Sequence, residues 1–245
     1  MPRNPSKLYR FHVANLRELE LAIGHAARLA KAAIASQDPQ RSLRSLLRLY
    51  AFLTGAWAEC RLQKLLHEEF GFSDAEREHV RQKSTQLEQW QATVDTAFRK
   101  HHNIPKAALN GRSLGVAHAA RRKALHDMLE NELRIVIEIR NKLAHGQWIY
   151  PLNSEGNKVE AEKFKLISKE NLLSLQLIFS LIGHLADVIN DLVVSPKAFL
   201  RDFEDHFKKL FQAQANLQRK DYAKYEATLV QSRRSARAKA KRNSP

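Results

Sequence analysis

An all-α fold is the class this chain predicts, and three observations carry that prediction. The 245 residues include only 8 glycines and 7 prolines, too few turn formers for a barrel or sandwich of many short strands. Ala, Leu, Lys, Arg, Glu and Gln are frequent, and these are good helix formers. Apolar residues recur at threes and fours rather than alternating. With 44% hydrophobic residues, the chain can bury a sizeable core as one large domain or two small ones.

Each element follows in chain order. The first helix runs from about Leu8 to Ser36, where Leu16, Leu19, Ile23, Ala26, Ala27 and Ala30 share a face. Asp38-Pro39 reads as a stop and restart, with Asp as N-cap and Pro at the first helical position. A second helix carries Leu43, Leu46, Leu47, Tyr50, Leu53, Trp57, Leu62 and Leu65 and ends near Gly71. Ser73 through Glu76 forms a capping box that opens a third helix, running to about His102. Its few apolar anchors predict peripheral packing.

Residues 103–115, with Pro105, Gly111 and Gly115, read as a loop. A fourth helix spans about Val116 to His145, and Gly146 stands at the position of a capping glycine. The β-formers Trp148, Ile149 and Tyr150, a turn at 153–157 and the stretch Phe164–Ile167 predict a small β-hairpin. Residues 169–194 form a strongly apolar helix. Ser195-Pro196 restarts a last amphipathic helix carrying Phe199, Phe203, Phe207, Leu210 and Phe211. From Gln231 onward the chain has six basic residues, no acid and no large apolar residue, which predicts a basic disordered tail over 231–245.

Charge, cysteine and hydropathy narrow the function classes. The 41 Lys and Arg against 26 Asp and Glu leave a formal charge of +15, an excess that favours polyanions such as nucleic acid. A single cysteine, Cys60, excludes a disulfide framework and a cysteine-rich zinc site, and fits a reducing cytoplasm. The N-terminal stretch holds no apolar core of signal-peptide length. Residues 172–194 are apolar but include Gln176, His184, Asp187, Asn190 and Asp191, and read as a buried helix rather than a membrane span. No membrane partner is expected.

One constellation carries chemistry. Leu129, Leu133, Ile135, Val136, Ile137, Ile139, Leu143 and Ala144 fall on one broad arc of the fourth helix. Arg140 projects from near the middle of that arc, where plain packing would place leucine. Asn141 and His145 stand four apart on a neighbouring face, so three polar groups converge at one helix end. A helix C-terminus favours an imidazolium, and histidine can exchange a proton near neutral pH. Arg140 offers a planar fork of donors suited to phosphate. Asn141 can position the histidine or a ribose hydroxyl. These are the minimum groups for metal-free phosphodiester transesterification. The alternative is an internal ion pair for Arg140 and a capping role for His145.

The residues Arg140-Asn141-Lys142-Leu143-Ala144-His145 resemble the motif of the HEPN superfamily of ribonucleases, an arginine, a polar residue, three variable residues and a histidine. The resemblance covers roughly residues 8–195. It implies an antiparallel all-α bundle and a face-to-face homodimer with two motifs lining one cleft. It also implies metal-independent RNA cleavage giving 2′,3′-cyclic phosphate and 5′-hydroxyl ends, with no cofactor. Toxins, abortive-infection proteins and RNA-guided antiviral effectors use this module, so an antitoxin or regulatory partner encoded nearby joins RNA among the expected partners. A family member that dimerises and holds nucleic acid without cutting it is the alternative. The corresponding division is a HEPN-like helical domain over 1–195, a helical extension over 196–230 and the tail over 231–245.

The spacing of arginine and histidine alone is weak, since Arg121–His126 and Arg201–His206 repeat it. Only the copy at Arg140 has Asn after the arginine and Ala and Gly flanking the histidine, at a predicted helix end. Arg121 belongs to a basic run read as solvated surface. Glu59 could orient Arg140 if the second helix packs beside the fourth, and Glu138 is a further supporting carboxylate. Lys142, Trp148 and Tyr150 are candidate RNA contacts next to the motif. Arg233, Arg234, Arg237, Lys239, Lys241 and Arg242 are candidates for the phosphate backbone. His101 and His102 point about 100° apart on a helix, poor geometry for one metal, so no metal site is expected.

Overall fold

The structure is a computed structural model that describes residues 6–242. Helix α1 (Lys7–Ser36) opens with the Ser6 hydroxyl accepting from the Tyr9 amide at 3.1 Å. It closes at Gln37 in the left-handed conformation, whose amide reaches the Ala33 and Ile34 carbonyls. The stripe Leu16, Ile23, Ala26, Ala30 and Ala33 is buried, and its alanines let a neighbouring helix approach closely. That neighbour is α2 (Gln40–Leu66), reached through a short turn. Pro39, not Asp38, occupies the N-cap, and no side chain caps this helix.

The single third helix expected over Ser73–His102 is instead two. Helix α3 (Asp74–Arg81) has the Ser73–Glu76 capping box, and α4 (Gln86–His102) begins with a second box formed by Thr85 and Glu88. Two start signals twelve residues apart produce two starts. Peripheral packing is also overturned for α4. Its apolar anchors are few but large, and Trp90, Val94 and Phe98 are fully buried. The loop after it contains a one-turn helix, α5 (Gly111–Leu114), capped by Asn110.

The fourth expected helix is continuous but not uniform. Helix α6 (Val116–Met128) passes through a π-helical turn at Leu129–Leu133 into α7 (Arg134–Ala144). A π turn inserts a residue and rotates the face that follows. Leu129, Leu133, Val136, Ile137, Ile139 and Leu143 are buried, whereas Ala144 is exposed. Gly146, at φ 76°, ends α7: its amide reaches the Leu143 carbonyl at 3.1 Å, and the Gln147 amide reaches Lys142 at 3.0 Å. This is a Schellman closure, and it requires a residue tolerant of positive φ.

The β-hairpin does not form. Among the described residues the segment holds one isolated antiparallel bridge, Leu152 with Val159, and Phe164–Ile167 lies in helix α8 (Ala161–Lys169). Three β-formers are too short a run to sustain a ladder on their own. Trp148 instead turns its indole back to the Leu143 carbonyl at 3.0 Å.

Helix α9 (Leu172–Val194) is long and apolar enough to cross a membrane by length and composition, yet half of its most apolar stretch is buried inside the fold. Helix α10 (Pro196–Arg219) starts with Ser195 as cap and Pro196 in its first turn. Phe199, Phe203 and Leu210 of α10 join the same buried cluster as α1, α2, α4, α7 and α9.

The tail is corrected as well. Helix α11 (Tyr222–Arg242) continues through it, packed along α1. Tyr225 and Leu229 anchor its first half against the core, with the Tyr225 hydroxyl donating to Gln176 Oε1 at 3.0 Å. Once that half is nucleated, extension through Ala, Arg and Lys is inexpensive, and no Gly or Pro interrupts it before Arg242. Residues 243–245 of the expected tail lie outside the described residues.

Candidate active site at the end of helix α7

Helices α2 and α7 meet at Gly55. A Cβ at that position would lie 2.3 Å from Arg140 Cβ and 2.7 Å from its Cγ, so only glycine admits the arginine stem. One turn further along α2, Glu59 forms an ion pair with the Arg140 guanidinium. Asn141 Oδ1 accepts from Arg140 Nη1 at 2.9 Å. The Arg140 side chain is 26% exposed, and its buried Nε has no hydrogen-bond partner. A buried donor left unpaired costs about 1–3 kcal/mol, so arginine sits here at a cost that leucine would not carry.

The guanidinium is thus held on both terminal nitrogens, by a carboxylate and by an amide. Each of those nitrogens keeps a second proton for an incoming acceptor. His145 caps α7 one turn beyond Asn141. Its side chain is exposed and makes no hydrogen bond to another described residue. A positioned cation and an unengaged imidazole therefore share one helix end, which also carries the partial negative charge of the helix dipole.

A layer behind this end fixes it. Buried Arg48 of α2 donates to the Trp148 carbonyl at 3.1 Å, to the Ile167 carbonyl at 2.9 Å and to Glu170 at 2.5 Å. Burial pushes the Glu170 carboxyl up to about 7, against the pull of Arg48. These contacts tie the segment after α7 to α2 and to the end of α8.

The other predicted residues are distributed unevenly. Lys142 turns away, donating to Glu160 at 2.5 Å and to the Leu152 carbonyl. Those contacts hold the Glu160 carboxyl below its ordinary range. Glu138 faces Arg134 at 3.3 Å and Lys163 at 3.6 Å rather than Arg140. Trp148 packs against the core. Tyr150 is exposed and stacks on Phe164, with ring centroids 5.7 Å apart. On α11, Arg233 donates to the Ala32 carbonyl at 3.3 Å, while Arg234, Arg237 and Lys239 are exposed. The side chains of Lys241 and Arg242 lie outside the described part.

Three groups escaped the sequence reading. Gly55 and Arg48 matter only once α2 is known to lie on α7, and no local signal marks them. Asp95 of α4 is the third: it accepts from Arg122 at 2.7 and 2.9 Å and from His126 at 2.7 Å. Burial works to raise its pKa, and the His126 and Arg122 contacts outweigh that and hold it low. Arg122 is therefore not merely solvated surface. Arg121 pairs with Glu204 at 3.2 Å and covers the Phe203 ring at 4.5 Å. The separation expected for His101 and His102 does not hold either. Their ring centroids lie 4.9 Å apart, and His118 joins them. The 100° step sets the Cα–Cβ directions, and side chains several ångströms long can converge beyond it.

Comparison of the chain with family models, with curated proteins and with solved structures finds no match.

Proposed function

We propose that this protein is a metal-independent endoribonuclease of the HEPN type, working in the cytoplasm as a toxin or antiviral effector. The observation that carries the reading is Arg140, held by Glu59 and Asn141 at a costly half-buried position one turn from the exposed His145. In this reading a base removes the ribose 2′-hydroxyl proton, O2′ bonds to phosphorus and the P–O5′ bond breaks. An acid then protonates the departing 5′-oxygen. His145 moves the protons, Arg140 stabilises charge on the phosphoryl oxygens, and Glu59 and Asn141 position Arg140.

One chain supplies one histidine, whereas the reaction needs a base and an acid on opposite sides of phosphorus. A two-fold homodimer with the α7 ends facing supplies both. Tyr150 and the exposed cations of α11 remain available to RNA. Lys142 and Trp148, engaged within the fold, support the helix end instead. The observation that favours the non-catalytic alternative is the same ion pair read as purely structural, with the dimer holding nucleic acid uncut.

The test is incubation of the purified protein with RNA in EDTA at moderate temperature, followed by analysis of the product ends. Cleavage giving 2′,3′-cyclic phosphate and 5′-hydroxyl ends supports the enzyme. RNA bound but intact selects the binding module. Light scattering is expected to give a dimer, and an active monomer of about 28 kDa would remove the shared cleft.

A further inference from the structure

We propose that His101, His102 and His118 form a binding site for a borderline transition-metal ion of the zinc class. His101 and His102 end α4, and His118 lies in the first turn of α6. The chain between them folds back through Asn103 in the left-handed conformation and Gly115 at φ 79°. Arg99 clamps this loop by donating to the carbonyls of Ile104 at 3.3 Å and Ala107 at 2.5 Å. The result is three imidazoles whose centroids lie 4.9, 5.8 and 4.6 Å apart in pairs. One ligand nitrogen from each lies within 4.8 Å of the others. His118 Nδ1 and His102 Nε2 are already 2.6 Å apart.

Packing accounts for part of this arrangement but not all of it. His102 stacks on the fully buried Phe98 at 6.4 Å, and His118 tilts against it at 6.5 Å. His101 is different: among the described residues its ring contacts are with the other two histidines alone. Burial lowers the proton affinity of all three, and neighbouring rings add to this at His101 and His118. Neutral imidazoles carry lone pairs, which a cation gathers at one point.

The donor set chooses the class of ion. It contains no carboxylate or carbonyl, which disfavours calcium and magnesium, and no thiolate, which disfavours soft ions. Three histidines suit zinc, nickel or copper(II), with a solvent molecule completing a tetrahedral zinc site. Zn–N bonds near 2.0–2.1 Å place ligand nitrogens about 3.3 Å apart. The His102–His118 pair therefore opens slightly to admit the ion, while the wider members of the cluster draw in. Bound metal would tie the end of α4 to the start of α6 and close the loop of residues 103–115. None of these residues belongs to the Arg140 site, so this inference stands apart from the proposed cleavage.

The experiment is titration of the chelator-stripped full chain with zinc and, for its visible spectrum, cobalt(II). One ion per chain is expected, with the absorption of tetrahedral cobalt. A hundredfold excess of free zinc over the dissociation constant should raise Tm by about 5–10 °C. His101→Ala and His118→Ala should each weaken binding at least about a hundredfold, and His25→Ala should leave it unchanged. His118→Ala removes a packing contact with Phe98, whereas His101→Ala does not, so His101→Ala decides the matter if His118→Ala fails to fold. Absence of one-to-one binding, or binding that survives His101→Ala unchanged, would show that the three rings merely pack.

Discussion

Arg140–His145 and Arg121–His126 have the same spacing on one helical run, yet their histidines stand in opposite situations. At the α6 copy the histidine is engaged: His126 and Arg122 grip Asp95 of α4, and Arg121 pairs with Glu204. At the α7 copy the arginine is engaged and the histidine is free: Glu59 and Asn141 hold Arg140, while His145 stands exposed at the helix end. Between them lies the π-helical turn Leu129–Leu133, and a rise of about 28 Å along the helical run sets the two copies against different partners. Spacing along the chain therefore does not separate the engaged network from the proposed reactive end; the state of the histidine does.

The comparison predicts which variants lose activity and which lose stability. Among the residues that support the two copies, the largest effects are expected at Glu59, which holds Arg140, and at Asp95, which holds Arg122 and His126. Glu59→Gln should reduce RNA cleavage at least about tenfold with little change in Tm, because a partly exposed ion pair contributes only about 0–1 kcal/mol. Asp95→Asn should do the reverse. It weakens charge-assisted contacts to Arg122 and His126 and should cost about 1–3 kcal/mol, read as a fall in Tm of about 2–4 °C per kcal/mol, with cleavage unchanged. Equal loss of cleavage in both variants would erase the distinction.

The Asp95 pair also has a definite pH sign. Its carboxyl titrates lower in the folded protein than in the unfolded chain, so the unfolded state binds more protons there as pH falls. Its contribution to stability is present above the unfolded value of about 3.9 and is lost as pH drops through the folded value. Thermal melts between pH 6 and pH 3 should therefore show a shallower acid decline for Asp95→Asn than for the wild type.

Gly55→Ala comes next. A methyl placed against the Arg140 stem should cost about 1–3 kcal/mol and reduce cleavage together with stability, since it displaces Arg140 itself. Full activity in a folded Gly55→Ala protein would mean that the close approach of α2 and α7 does not position the arginine.

The smallest effect belongs to α11. Truncation after Arg233 removes Arg234, Arg237, Lys239, Lys241 and Arg242. Each cation that meets a single-strand phosphate adds about −0.7 to the salt slope of log K, so the slope should flatten by no more than about 3.5 units. The cleavage pattern should stay the same, because backbone contacts position without specifying sequence. An unchanged slope would leave the remaining positive charge of the body to attract RNA.

Much of the helical order was legible because its signals are local. The periodic face of α1, the Ser73–Glu76 box, the Ser195-Pro196 restart and Gly146 each act within a turn or two of where they stand. Thr85–Glu88 is equally local, but it stands inside a polar stretch with no Gly or Pro to mark the break before it. What escaped depends on contacts distant in sequence. Residues 231–245 taken alone are too polar to predict a fold, yet the helix that runs to Arg242 continues from a segment anchored on the core at Tyr225 and Leu229. Gly55 and Asp95 acquire their roles only through neighbours 85 and 27–31 residues away. In the candidate site, Arg140, Asn141 and Glu59 do come together. Lys142 and Glu138 do not join them, because each has nearer partners in Glu160, Arg134 and Lys163.

The most direct measurement is a side-by-side single-turnover assay of His145→Ala and His126→Ala on one RNA, in EDTA, with folding of both checked by circular dichroism. His145→Ala should cleave at least about a hundredfold more slowly than wild type, the usual loss for a proton-transfer group. His126→Ala should cleave at the wild-type rate below its lowered Tm. Wild-type cleavage by His145→Ala would contradict the account, and so would a cleavage loss in well-folded His126→Ala as large as that in His145→Ala.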